Sequence, residues 1–193
     1  TSPSTGQSPT RTSNRMTRWR LLLLRSGFKS GAPAIALAAT VRPRKRARPQ
    51  GQSRKRRRCA VLVVDSGVWI DFFADRPTVA CDELDRLLQD GQTRLIVPDL
   101  VLFEVLRGFR EERAMRQARL LLQTVGVEAC GGESVALAAA EHYRHLRARG
   151  ITVRSSLDVL IAAFCIENDY LLLHGDRDYD AMAAHRGLRV WEH

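Results

Sequence analysis

Four acidic residues stand where a carboxylate has chemical use. Asp65 follows the apolar run AVLVV at 60–64, and Asp176 follows YLLL at 170–173 with only His174 and Gly175 between. Both runs read as buried strands, and in open α/β sheets ligands bind just beyond the carboxyl ends of the strands. Glu104 lies within LVLFEVLRGF and Asp158 near the start of SSLDVLIAAFC, two apolar helical segments where a charge is unexpected. Each acid also has a plain structural role open to it. Asp65 can cap a helix, Asp176 can belong to a turn, Glu104 can face solvent, and Ser155 with Asp158 matches a capping box.

Taken jointly, the four suit a hard cation. Several carboxylates within a few ångströms repel one another, so some would hold protons unless a cation neutralised them. Oxygen donors without Cys or His select Mg²⁺, or Mn²⁺, over zinc, and such an ion retains waters that it can polarise for attack on phosphorus. The chemistry implied is phosphodiester hydrolysis.

The elements that must position these acids are legible over 60–193. After the first strand, helical spacing covers 68–73 and 78–88, the second with Leu84, Leu87 and Leu88 on one face and Gly91 as its stop. A strand at 95–97 ends at Pro98, and Asp99 is placed to cap a helix that runs to Phe109. An amphipathic helix at 111–124, a strand at 125–130 and a long helix at 134–149 follow. The segment 156–168 is apolar nearly all round and is expected to be buried. A strand at 170–173, a helix at 179–185 and a last strand at 188–191 complete the pattern. Strands written as continuous apolar runs and alternating with helices predict a doubly wound parallel sheet covered on both faces.

With these motifs in order, VVDSGVWIDFF, FEVLRGF, SLDVLIAAFC and LLLHGDRDYDAMA, the chain resembles the PIN-domain ribonucleases, and more narrowly the VapC-like toxins of bacterial toxin-antitoxin pairs. The resemblance covers about 61–193. It implies a three-layer α/β/α fold around a central parallel sheet, and an acidic metal-binding quartet of Asp65, Glu104, Asp158 and Asp176. Asp178 is then an auxiliary acid at the metal and Ser66 a polar neighbour of it. It further implies a Mg²⁺- or Mn²⁺-dependent endoribonuclease, homodimeric and cytoplasmic, held inactive by a cognate VapB-like antitoxin. In that scheme Asp65, Asp158 and Asp176 contact the metal directly or through water, while Glu104 orients or deprotonates the attacking water. Arg154 and Arg177, beside the acids in sequence, are candidates to hold the scissile phosphate or to form surface ion pairs. Arg107, Arg110 and Arg113 are candidates to draw RNA toward an acidic site. The rival expectation is a PIN-like module that binds RNA or a protein without cutting it, with the acids serving as caps and turns.

The charge divides the chain in two. The net +10 arises from sixteen basic residues and no acid in 1–58, whereas 59–193 holds fifteen Arg against twenty-one acids, a balance of −6. Residues 1–59 are rich in Ser, Thr, Gly, Pro and Arg without periodic apolar positions, so a disordered basic tail is expected ahead of one domain at 60–193. A nucleic-acid arm, an Arg-rich transit-type leader, a secretory signal around Leu21 that Arg25 and Lys29 interrupt, and translated upstream sequence without a role are its competing readings. The PIN-like pattern itself has no such tail.

Other constellations are excluded. Cys59, Cys81, Cys130 and Cys165 form no C-x-x-C, which argues against zinc and fits a reducing cytosol. No apolar run reaches the roughly 18 residues a membrane span needs. Asp176, Asp178 and Asp180 imitate an EF-hand start, yet Ala181 stands where Gly is needed and Gly187 where Glu is needed. Phosphoacceptor regulatory domains and haloacid-type phosphatases use a Lys, and 59–193 contains none. No Gly-rich phosphate loop occurs. His142 and His145 are expected on a solvated helix face. Trp69, Phe72 and Phe73 are expected in the core, or, where exposed, in an apolar groove for a partner helix.

Overall fold

A computed structural model describes residues 60–193; the basic tail expected at 1–59 lies outside the described residues. β1 (Val61–Val64) runs into α1 (Ser66–Phe73) and α2 (Val79–Asp90). Next come β2 (Arg94–Pro98), α3 (Asp99–Arg107) and α4 (Glu112–Val125), then β3 (Val127–Glu128), α5 (Glu133–Arg147) and α6 (Ser156–Asn168). The chain closes with β4 (Leu171–Leu173), α7 (Asp178–Arg186) and β5 (Arg189–Val190).

The five strands pair in parallel in the order β3-β2-β1-β4-β5. Leu62 lies between Leu95 and Leu171, and Val63 between Ile96 and Leu172. The chain therefore starts at the centre, builds outward through β2 and β3, and returns to the far side of β1 for β4 and β5. The strand order reverses between β1 and β4. A crevice opens at that reversal. Asp65 and Asp176, which leave β1 and β4, share its edge because of the topology alone.

The strands are apolar on both sides because both faces are covered. Leu62, Val63, Val64, Val97, Leu172 and Leu173 have no exposed surface. The same holds for Ile161, Ala162, Ala163 and Cys165 of α6, which packs against α3, α5 and α7, so the expected burial of 156–168 is observed. Trp69 and Phe72 are buried and Phe73 half-buried. Phe73 stacks on Trp69 at 5.9 Å and meets Phe109 edge-on at 5.7 Å. Burying Trp69 whole contributes on the order of 2–3 kcal/mol. Gly91 ends α2 with φ +65, a backbone conformation that costs glycine nothing.

Three local expectations are corrected. Asp99 does not cap α3 from outside: it is the first helical residue, and its Oδ1 accepts from the N–H groups of Leu100 and Cys130, both at 2.9 Å. β3 is two residues long rather than six, because its partner β2 ends at Pro98, which has no N–H to extend the ladder, and the Cys130 N–H is turned to Asp99. His142 is buried rather than solvated. Its Nδ1 accepts from Arg186 Nε at 2.7 Å, since α7 packs across the face of α5 that carries it.

Candidate active site

Asp65 is the first residue after β1 and the cap of α1. Its Oδ2 accepts from the Gly67 N–H at 3.0 Å, and its Oδ1 accepts from the Tyr179 hydroxyl at 2.7 Å. Any side chain at 67 would set a Cβ 3.1 Å from that Oδ2, so glycine lets the carboxylate lie close on the helix start. The capping role is thus real, yet the side chain is also buried at the crevice. Burial raises its pKa against the pull of the Tyr179 and Gly67 donors. Tyr179 is 1% exposed, and burial with Asp65 beside it pushes the phenol far up, which leaves it a permanent O–H donor. Its ring packs on His174, the centroids 4.9 Å apart.

Asp158 is the third residue of α6. The Ser155 hydroxyl accepts from its N–H at 3.3 Å, so half of the capping box exists. Its carboxyl is pushed from an ordinary 3.8 up to about 6, first by burial and then by the charges of Asp65, Asp176 and Glu104. Asp158, Asp176 and Asp178 each present an oxygen within 4.8 Å of the other two. Asp65, Asp158 and Asp176 also line one cleft of about 660 Å³, together with Ser66, Asp71, Arg154 and Arg177. Glu104 is not on that lining. It projects from α3 with 13% of its side chain exposed, Arg107 lies 3.8 Å away, and its Oε2 is buried without a hydrogen-bond partner.

The arginines divide. Arg154 is committed to Asp176 and Asp178, whereas Arg177 is exposed on the cleft wall. Arg107 lies over the Phe103 ring at 5.7 Å, and Arg110 and Arg113 are exposed. Two residues with evident site contacts were not singled out from sequence: Tyr179 as a partner of Asp65, and His174 beneath it. A buried Tyr three residues before Met182 on an otherwise apolar helix face is the available signal, because a buried phenol needs an acceptor.

The donor set fits a hard divalent cation. All its ligating atoms are carboxylate oxygens, the charges of Asp65, Asp176 and Glu104 help to raise the pKa of Asp158, and the Glu104 Oε2 is buried without a partner. A test follows from the signs. Asp158 and Asp65 hold protons to higher pH folded than unfolded; the stabilising contribution of Asp158 is full below about pH 4 and is lost as pH rises through about 6. Asp178 and Glu83, held low by Arg154 and Arg86, slope the other way. In metal-stripped protein the difference between wild type and Asp158→Asn isolates the first effect. Urea midpoints should converge near pH 4 and separate by pH 7.5 in favour of Asn; parallel curves would refute a cost of ionising Asp158 in its buried place.

Residues 62–185 match the PIN domain family. Over 130 residues the chain is 28% identical to VapC ribonuclease Mb1587 of Mycobacterium bovis and to Ribonuclease VapC11 of Mycobacterium tuberculosis, covering 67% of this chain and 97% of each relative. Among solved structures, VapBC2 from Rickettsia felis, bound to a fragment of promoter DNA, aligns with a TM-score of 0.55 at 14% identity, covering 68% of this chain and 99% of that one. VapBC-1 from nontypeable Haemophilus influenzae aligns at 0.54 with 19% identity, covering 68% and 97%.

Proposed function

Because the chain belongs to the PIN domain family, we propose that it is a metal-dependent endoribonuclease, the toxin of a VapBC-type pair. The observation that carries this is the gathering of acids at the one edge where the strand order reverses: Asp158 of α6 with Asp176 and Asp178 within 4.8 Å of one another, and Asp65 on the wall of the same cleft. Relatives named as ribonucleases, matched over 97% of their length, support the same reading.

In this reading Asp65, Asp158 and Asp176 hold Mg²⁺ or Mn²⁺, with Asp178 at its edge. A divalent ion there supplies neutralisation of phosphate charge and a more acidic water for attack on phosphorus. Glu104, whose Oε2 has no other partner, takes the proton of the attacking water. Gly67 and Tyr179 fix the direction of the Asp65 carboxylate. Arg177 on the cleft wall meets the scissile phosphate, and Arg107, Arg110 and Arg113 offset the acidic balance of the domain by contacting RNA backbone. The partners are an RNA substrate, a VapB-like antitoxin and a second copy of the chain, in the cytoplasm. Among the described residues no helix is long and apolar enough to cross a membrane.

The test is cleavage of structured and unstructured RNAs by the full chain and by residues 60–193, each with Mg²⁺, Mn²⁺ or excess chelator. Cutting that requires the ion and is equal for both chains is expected, with melting temperatures alike. Metal-dependent RNA binding without cutting would favour the rival binding module. A truncated chain that fails to fold would show that the domain boundary is misplaced.

A further inference from the structure

Asp158 stands on α6 and Asp176 on the loop after β4, and repulsion drives the two carboxylates apart. The group that spans these segments is Arg154. Its backbone N–H donates to Asp178 Oδ2 at 2.9 Å, and its Nε lies 3.3 and 3.2 Å from Asp178 Oδ1 and Oδ2. Its Nη2 donates to Asp176 Oδ1 at 3.2 Å, the same oxygen that accepts the Asp178 N–H at 3.0 Å. Arg154 immediately precedes Ser155, whose hydroxyl holds the N–H of Asp158. An unbroken path of bonds therefore joins the start of α6 to the loop that carries Asp176.

An exposed ion pair contributes little by itself, and 73% of the Arg154 side chain is exposed. The Asp178 end differs: its side chain is only 13% exposed and both its oxygens are taken by this one arginine. A planar fork that engages two carboxylates at once fixes direction as well as charge, which an ammonium cannot do. We propose that Arg154 is a positioning residue of the metal centre, a clasp that acts through Asp178 to keep Asp158 and Asp176 side by side. The inference rests on the nuclease reading and goes beyond it by taking Arg154 away from the RNA and giving it to the acids.

Mn²⁺ titration of metal-stripped protein, followed by electron paramagnetic resonance, tests the clasp alongside kcat and KM on one RNA. The proteins are wild type, Arg154→Ala, Arg154→Lys, Asp178→Asn, and the double variant Arg154→Ala with Asp178→Asn. A residue that orients metal ligands is expected to cost about 10-fold or more in Mn²⁺ affinity when removed. The loss should appear in kcat rather than KM, Lys should not restore it, and the double variant should bind Mn²⁺ no more weakly than either single one. Should Arg154→Ala fail to fold, Arg154→Lys carries the same cycle. Unchanged or tighter Mn²⁺ binding in Arg154→Ala, rescue by Lys, additive losses, or a loss confined to KM would each overturn the proposal. Wild type whose Mn²⁺ binding depends on Arg154 but that cuts no RNA would sink the nuclease reading and leave the clasp; wild type that binds no Mn²⁺ would sink both.

Discussion

Asp158→Asn is expected to lower RNA cleavage by about a thousandfold, equivalent to about 4 kcal/mol of lost transition-state stabilisation, and yet to make the metal-free protein more stable. The two effects share one cause. In the wild type the Asp158 carboxyl is pushed up to about 6 by burial and by the charges of Asp65, Asp176 and Glu104, so at neutral pH it is ionised at a cost. An amide of the same shape removes that cost. The full shift would be worth about 3 kcal/mol, but a partly exposed group is screened, and about 1 kcal/mol is the reasonable share. In chelator the melting temperature should therefore rise by about 3–5 °C. Added Mn²⁺ stabilises the wild type by mass action and should leave Asp158→Asn where it was, so the two melting curves exchange order. Differential scanning calorimetry with and without Mn²⁺ reads this directly. A variant less stable than wild type in chelator, with cleavage reduced only a few fold, would mean that Asp158 is a structural cap and no ligand.

That crossover also separates what the sequence can and cannot disclose. A parallel sheet covered on both faces writes each strand as an unbroken apolar run, so the first polar residue after a run marks the edge where ligands bind. Asp65 and Asp176 stand out for that reason, and Glu104 and Asp158 because a charge interrupts an apolar helix. What the pattern cannot carry is a partner supplied from elsewhere in the chain. Tyr179 meets Asp65 across 114 residues, and its own segment, DRDYDAM, reads only as the acid-flanked start of a short helix. His142 sits among Glu, Arg and His on α5, and its burial depends on Arg186, 44 residues away. The extent of β3 was hidden for a related reason. The composition of 125–130 shows that a strand can form there, but the length of the ladder is set by Pro98 on the neighbouring strand. Arg154 is the sharpest case, since an arginine beside acids reads equally as a phosphate contact or an ion pair until its four bonds to Asp176 and Asp178 are seen.

Substitutions at Asp65 should pull its two roles apart. As a cap it accepts from Gly67, as a buried acceptor it satisfies the Tyr179 hydroxyl, and as an anion at the crevice it is a proposed ligand. Asp65→Asn keeps the shape and one carbonyl oxygen, so one of the two donors stays bonded while the cost of a buried charge disappears. Its stability in chelator should stay within about 1 kcal/mol of wild type. Asp65→Ala removes the cap, worth about 1 kcal/mol, and also orphans a phenol that is 1% exposed, which costs a further 1–3 kcal/mol or so. Both variants should cut RNA about a thousandfold more slowly, because neither offers an anionic oxygen to the cation. Urea unfolding and initial cleavage rates on the same preparations test this. If activity followed stability, with Asn near wild type and Ala inactive, the acid would be a cap whose loss distorts the site. If Asn is stable and inactive, the same carboxylate that starts α1 is also the one the reaction needs, and helix capping and catalysis meet on a single side chain at the end of the central strand.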